Sequence, residues 1–314
     1  ITSALASFTK SNKILIFGSG GLVGSSVKLI FESDKDNYEV ISPLRNQVDL
    51  FSAKETSDYI NELNPDWIIN CAAKVGGILA NNTYRTEFLI ENLKINLNIL
   101  EGCIGNNNIN IINLGSSCIY PLNAKNPIKE SSFMTGELEP TNSPYALAKI
   151  AAIELGREIK HQYGNKVINL MPTNLYGPRD SFTEKDSHVI PGLIYRLNKN
   201  INSKEFEIWG SGKPLREFLY VLDLAECIKF IIESKLDEDL INVGSGEEIS
   251  IKDLAMLISE ILNYKGDLVF NTEMPDGNPR KLLDSSLLKS YGWFPSTNLE
   301  KGLKETIKWY LATQ

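Results

Sequence analysis

At 314 residues, with 42% hydrophobic and 23% charged side chains, the chain can bury a large core as one big α/β unit or as two domains. Its net charge of -7 argues against a general affinity for nucleic acid or anionic membrane. Any anionic ligand must therefore be gripped by local devices, such as helix N-termini and individual arginines. No apolar run approaches the ~18 residues of a spanning helix, and Ile1 to Lys10 lacks the basic start and apolar block of a secretory signal. Cys71, Cys103, Cys118 and Cys227 form no Cys-x-x-Cys pair and have no histidines at metal spacing. That pattern predicts free thiols, no metal and a cytoplasmic setting.

Taken in order, the chain first shows the apolar run Ile14-Leu15-Ile16-Phe17, followed at once by Gly18-Ser19-Gly20-Gly21-Leu22-Val23-Gly24. An apolar-periodic segment then continues to about Phe31. A buried strand, a glycine turn and a helix in that order make a dinucleotide-binding fingerprint. Glycine lets the backbone approach a pyrophosphate, and the helix N-terminus offers unpaired N–H groups with partial positive charge. The second strand, about Tyr38 to Ser42, should end beside the adenine ribose, where an acid selects NAD and an arginine accommodates the 2′-phosphate of NADP. Glu39 lies inside that strand at a solvated position. Beyond it comes Pro43-Leu44-Arg45-Asn46, with one arginine and no acid, which favours NADP(H) with Arg45 as a contact.

Asp66 to Ala72 reads as a third strand entering the loop Lys74-Val75-Gly76-Gly77, and a helix follows from about Thr83 to Ile104. Ile109 to Leu114 is a fourth strand, ending in Gly115-Ser116-Ser117-Cys118-Ile119-Tyr120-Pro121. Functional groups of open parallel sheets lie at the carboxyl ends of strands, so Ser116 and Cys118 are well placed. The next helix should run from Tyr145 to about Tyr163, with Asn142 or Ser143 as N-cap and Pro144 in the first turn. Tyr145 and Lys149 are four residues apart and share a helix face. A fixed cation near a phenol lowers a pKa that otherwise sits near ~10, giving the proton donor that ketone reduction needs.

Lys166 to Met171 makes a fifth strand, ending at Pro172-Thr173-Asn174-Leu175-Tyr176-Gly177-Pro178. The alternation predicts a Rossmann-type doubly wound parallel sheet over 1–178, with a return to it around 223–245. From Arg179 the pattern is less regular and reads as a smaller α/β substrate-capping region, 179–314. That region contains His188, Arg196, a short strand into Trp209-Gly210-Ser211-Gly212, Arg216-Glu217-Phe218 and Met274-Pro275-Asp276-Gly277. Helices should lie near 224–233, 251–262 and 299–311.

These residues carry a resemblance. The glycines at 18, 21 and 24, with Ser116, Tyr145 and Lys149, resemble the extended short-chain dehydrogenase/reductases that act on nucleotide sugars. Longer strings are similar to those of the GDP-L-fucose synthase family within them. They are Ala72 to Ile78, Gly115 to Pro121, Met171 to Pro178 and Pro275 to Lys281, and the similarity spans about Ile14 to Tyr310. The resemblance implies NADPH-dependent 3,5-epimerisation and 4-reduction of GDP-4-keto-6-deoxy-D-mannose by a cytoplasmic homodimer. It implies Ser116, Tyr145 and Lys149 for reduction, and Cys118 and His188 for epimerisation. Cofactor contacts would come from Gly18 to Gly24, Leu114, Gly115, Ser116, Ser117, Lys149, Pro172, Thr173, Asn174, Leu175 and His188. Nucleotide-sugar contacts would fall on Arg196, Trp209, Arg216 and Asp276.

Chemistry agrees with that division. A ketone at C4 acidifies the protons at both C3 and C5, because either carbanion delocalises onto the same oxygen. One carbonyl can then serve epimerisation and reduction in one pocket. Cys71, Cys103 and Cys227 lie in strand or helix patterns as buried thiols, and His161 near Gly164 suits a helix end. A C4 reductase of a related GDP-4-keto-sugar, without epimerase activity, is the nearest alternative, and Cys118 and His188 count against it. A non-catalytic NADP-sensing protein is a second alternative, opposed by the intact Ser116, Tyr145 and Lys149.

Overall fold

The computed structural model describes residues 11–184, 187–234, 236–274 and 276–314. Ile1 to Lys10, and Pro275 within the resemblance string that begins there, lie outside the described residues. The first half alternates strand and helix: β1 (Asn12–Phe17), α1 (Leu22–Glu32), β2 (Tyr38–Ile41), α2 (Ala53–Leu63), β3 (Trp67–Asn70), α3 (Ile78–Thr83), α4 (Arg85–Gly102), β4 (Asn110–Leu114), α5 (Ser143–Tyr163) and β5 (Val167–Pro172). The second half adds β6 (Asn174–Tyr176), α6 (Val189–Lys199), β7 (Glu205–Trp209), β8 (Leu215–Tyr220), α7 (Val221–Glu233), β9 (Leu240–Val243), β10 (Glu248–Ser250), α8 (Ile251–Ile261), β11 (Asp267–Asn271), β12 (Arg280–Lys281), α9 (Ser286–Ser290) and α10 (Leu299–Ala312).

Six parallel strands form the main sheet in the order β2-β1-β3-β4-β5-β9. The order reverses at β1, so the cofactor crevice is expected beyond the carboxyl ends of β1 and its neighbours. Ile14, Leu15 and Ile16 are all fully buried, because both faces of the sheet are covered. Val27, Phe31, Leu224 and Ile228 of α1 and α7 pack on one face. Ile60, Ile95, Ile99 and Ile159 of α2, α4 and α5 pack on the other.

A buried asparagine ladder runs across this otherwise apolar sheet. Asn70 donates to Asn96 and Asn113, both at 3.0 Å, Asn113 donates to Asn169 at 3.2 Å, and Asn169 donates to the Asp239 carbonyl at 2.9 Å. A one-residue slip of any strand would bury those amides without partners, so the ladder pins the register.

The second half builds its own core from Ile190, Leu193, Ile194, Ile208, Leu254, Ile258 and Leu303. There β8 pairs with β6, β10 and β12, and β7 pairs with β11. Glu217 on β8 is fully buried and accepts from the Gly246 N–H at 2.7 Å and the Leu283 N–H at 3.1 Å. Its carboxylate thereby joins the loop after β9 to the segment after β12.

Three local features differ from the sequence reading. Helix α2 buries only Thr56 and Ile60 and so lacks an obvious apolar stripe; its signal is the Ser52 cap, which accepts from the Glu55 N–H at 3.3 Å. Helix α6 carries Pro191 in its first turn, where no N–H partner is needed. The helix expected from about Thr83 is α4, and a short helix the sequence did not show, α3, precedes it across Tyr84 (φ -104, ψ 46).

Candidate active site

The glycine turn after β1 is shaped by contact. Gly18 has φ +80, and a Cβ there would lie 2.6 Å from the Ala72 nitrogen. A Cβ at Gly24 would overlap the Gly18 carbonyl, so helix and strand approach as closely as backbone permits. Gly20 is different, because a Cβ there meets nothing within 4 Å. Packing therefore leaves space at Gly20. Gly21 caps α1 without a side-chain hydrogen bond, and no acid occupies the first turn, so the terminal N–H groups of α1 remain for an anion. Those features fit the pyrophosphate of a dinucleotide.

Glu39 and Arg45 are both exposed, Glu39 within β2 and Arg45 in the loop that follows. Leu114, Pro172 and Thr173 are buried at the ends of β4 and β5, Leu175 is half-buried and Asn174 is exposed. Asn174 donates to the Glu217 carbonyl at 2.9 Å, which ties this strand end to β8.

Ser116 caps a single 3-10 turn, Ser117–Ile119, and its Oγ accepts from the Cys118 N–H at 3.3 Å. Helix α5 packs against that turn and brings Tyr145 and Lys149 to it. Lys149 is 2% exposed and its Nζ donates to the Leu114 carbonyl at 2.7 Å. Burial lowers its pKa to about 8, against pulls in the other direction from Cys118 and Cys71. The Lys149 Nζ lies 5.7 Å from the Tyr145 ring centroid, and the Phe88 ring meets Tyr145 edge-on at 6.3 Å.

The Tyr145 pKa is raised, not lowered as its spacing from Lys149 predicts. Burial pushes the phenol up, and the charge of Cys118 pushes it further. Removal from water outweighs a cation that is directed at a carbonyl rather than at the phenol oxygen. Tyr145 is consequently held as the protonated acid, the form from which a proton is given.

Cys118 is 7% exposed. Burial raises its pKa, while Lys281, the Ser116 hydroxyl and Lys149 pull it down. Cys71, Cys103 and Cys227 are likewise free thiols raised by burial, and no hydroxyl hydrogen bond offsets it at any of them. His188 precedes the first turn of α6, its side chain is exposed, and desolvation by surrounding protein holds its pKa below the ordinary value. His161 lies in the last turn of α5, before the left-handed Gly164 cap.

The four residues expected at the nucleotide sugar fall in the second half of the fold. Trp209 ends β7 and is 62% exposed, which excludes core packing. Asp276 accepts from the Ser211 N–H at 2.8 Å and the Ser211 hydroxyl at 2.6 Å, so its loop is clamped to the turn after Trp209. Arg216 is half-buried and donates through Nη1 to the carbonyls of Leu215 and Asn278, at 2.8 and 2.6 Å. Arg196 stacks over the Phe206 ring of β7, 5.6 Å from its centroid. Burial lowers the pKa of both arginines.

Two lysines near the site were given no role by the sequence. Lys74 pairs with Glu91 at 3.0 Å and sits 5.8 Å from the Phe88 ring centroid. Lys281 ends β12 opposite Arg216. Lys281 falls inside a string that carried the family resemblance, yet nothing in its spacing distinguished it from a surface charge.

A family model described as the NAD dependent epimerase/dehydratase family matches residues 14–244. A putative GDP-L-fucose synthase from Arabidopsis thaliana is 44% identical over 96% of this chain and 92% of its own. Among solved structures, a GDP-L-fucose synthetase from Naegleria fowleri bound to NADP superposes with a TM-score of 0.89 and is 31% identical, covering 97% of this chain and 94% of that one. A GDP-mannoheptose C4 reductase from Campylobacter jejuni with NADP bound gives a TM-score of 0.85 at 31% identity, covering 96% and 98%.

Proposed function

The chain belongs to the NAD dependent epimerase/dehydratase family, and we propose that it converts GDP-4-keto-6-deoxy-D-mannose to GDP-L-fucose by 3,5-epimerisation and NADPH-dependent 4-reduction. The observation that carries this reading is the thiol of Cys118 beside the Ser116, Tyr145 and Lys149 set, where a reductase alone needs no such group.

The cofactor supplies hydride to C4 when bound. It would be held by the Gly18–Gly24 turn and the N-terminus of α1, by Leu114 to Ser117, by Lys149 and by Pro172 to Leu175, with Arg45 toward a 2′-phosphate and His188 at the far side. Ser116 and Tyr145 hold the C4 oxygen. Cys118 as thiolate takes the proton from C3 or C5, the C–H pair delocalises to the C4 oxygen, and His188 returns a proton on the opposite face. Tyr145 then gives its proton to the oxygen as C4 is reduced. On the sugar nucleotide, Arg196 and Arg216 would face the anionic diphosphate, with Trp209 and Asp276 on the remainder. Purified protein should oxidise NADPH when given GDP-4-keto-6-deoxymannose; no oxidation under any condition that supports cofactor binding would remove the reading.

Arg45 lies beyond β2 with no acid at the strand end, so NADPH should bind more tightly than NADH. Arg45→Ala is expected to narrow that preference by about tenfold through loss of one charge-assisted contact. Equal affinities of the unaltered protein for both cofactors would refute the assignment.

A cytoplasmic homodimer is part of the proposal. Phe88, Leu100, Ala148 and Ala152 are buried within the protomer, because α4 and α5 pack on each other. Ile90, Leu97 and Leu147 are exposed on these two helices, and they are the face we assign to the second copy. Light scattering at micromolar concentration should give twice the chain mass, and a single-chain mass would end the idea. The unpaired thiols suit a reducing compartment. No helix among the described residues is long and apolar enough to cross a membrane.

A further inference from the structure

Lys281 sits where a lysine is hard to explain as structure. Its strand, β12, pairs in parallel with β8, and Lys281 faces Arg216 directly across the pair. Two cations opposite each other on one strand pair are unfavourable without an anion between or beyond them. The neighbouring Arg280 has its partner, a bidentate contact with Glu248 at 2.8 and 2.7 Å. Lys281 is half-buried, and no hydrogen bond or ion pair engages its ammonium among the described residues.

The segment carrying Lys281 is stitched to the chain that follows the Cys118 turn. The Leu282 N–H donates to the Asn126 side chain at 2.7 Å, and the Ile128 N–H donates to the Leu282 carbonyl at 2.8 Å. Leu283 packs with Ile119 and Tyr120, the two residues after Cys118. The fold thus holds the end of β12 beside the segment that follows the Cys118 turn, while α5 packs on the turn itself.

The groups facing one another here are few. Cys118 hydrogen-bonds with Ser116 of its own turn, and the charges that act on it come from Lys149 on α5 and Lys281 on β12; its own charge acts on Tyr145. The charges that act on Lys281 are those of Cys118, of Arg216 across the strand pair and of Glu139 before α5. Glu139 is committed, because its carboxylate accepts from Thr141 and Asn142. Lys149 is committed to the Leu114 carbonyl. That leaves Lys281 as the cation of the group without a fixed partner, and Cys118 as an acid whose other partner is the neutral Ser116 hydroxyl.

We propose that Lys281 is a positioning residue for epimerisation, its ammonium stabilising the Cys118 thiolate that removes the C3 and C5 protons. The inference rests on the epimerase reading of Cys118. A cation beside a thiol shifts it toward the nucleophilic and basic thiolate, against the effect of burial. Among the groups that pull the Cys118 pKa down, Lys281 is the largest. In the catalysed step the sulfur gains the carbon-bound proton, the bonding pair moves to the C4 oxygen, and the neutral thiol must lose its proton before the next turnover.

The test separates this role from a simple grip on substrate. Thiolate absorbance of the free protein, taken as wild type minus Cys118→Ser, is titrated alongside Lys281→Met and Lys281→Arg, each in its own Cys118→Ser difference. Lys281→Met should titrate at higher pH and Lys281→Arg close to wild type. With a non-reducing cofactor analogue and keto-sugar in D₂O, Lys281→Met should exchange C3 and C5 protons about tenfold more slowly at neutral pH, recovering as pH rises. Identical titrations of wild type and Lys281→Met overturn the proposal, including the case where only KM rises because the lysine binds diphosphate. If the wild type exchanges no deuterium while the titration still shifts, the epimerase reading falls and the coupling of Lys281 to Cys118 stands.

Discussion

Tyr145→Phe should keep cofactor binding and lose hydride transfer by 10²–10⁴-fold, the size of effect expected when a general acid is removed (about two to four decades). The phenol is half-buried against Phe88 and held protonated by desolvation. It is therefore available as an acid, and the alkoxide forming at C4 has no other donor of that kind except the Ser116 hydroxyl. Phenylalanine preserves the ring packing and removes only the oxygen. Lys149 keeps its bond to the Leu114 carbonyl, and the glycine turn is untouched, so NADPH should bind as before. Single-turnover NADPH oxidation checks this. A rate near that of the unaltered protein would take Tyr145 out of the chemistry.

Cys118→Ser should have the opposite selectivity. The hydroxyl matches the thiol in shape, fits the same turn and preserves the Cys118 N–H bond to Ser116, so the fold should be kept. A serine hydroxyl is a far poorer base than a thiol that is even partly ionised, and deuterium uptake at C3 and C5 should fall by roughly two decades or more. Reduction of the unepimerised ketone should continue, since Ser116, Tyr145 and Lys149 remain. His188→Asn should impair proton return on the other face, so uptake falls or the wrong stereoisomer accumulates. If Cys118→Ser exchanges protons at the wild-type rate, the base lies elsewhere and a C4-only reductase gains ground.

Periodic, local signals carried the sequence reading furthest. Ile14 to Phe17 announced a buried strand and the glycines at 18, 21 and 24 a turn into a helix; the strand is buried, and Gly18 and Gly24 leave no room for a Cβ. Tyr145 and Lys149 could be placed on one face because four residues make about one helical turn. What stayed hidden is set by tertiary contact. The Asn70, Asn113 and Asn169 ladder joins three separate strands, and each asparagine in isolation looks like an interruption of an apolar run. The direction of the Tyr145 pKa depends on how much water the folded site excludes, which spacing cannot show. Ala148 and Ala152 are buried on α5, which packs on α4 of the same chain, a contact that spacing within either helix does not announce. Lys281 became visible only once β12 was seen to lie against β8 and the segment after Cys118.

The central claim is that one C4 carbonyl serves two reactions in one pocket, and a single product spectrum tests it. Unaltered protein is given GDP-4-keto-6-deoxymannose and NADPH in D₂O, and the sugar is read by NMR. The expected product is GDP-L-fucose carrying deuterium at both C3 and C5 and protium from the cofactor at C4. A C4-reduced sugar with protium retained at C3 and C5 would contradict the account and identify a reductase that does not epimerise.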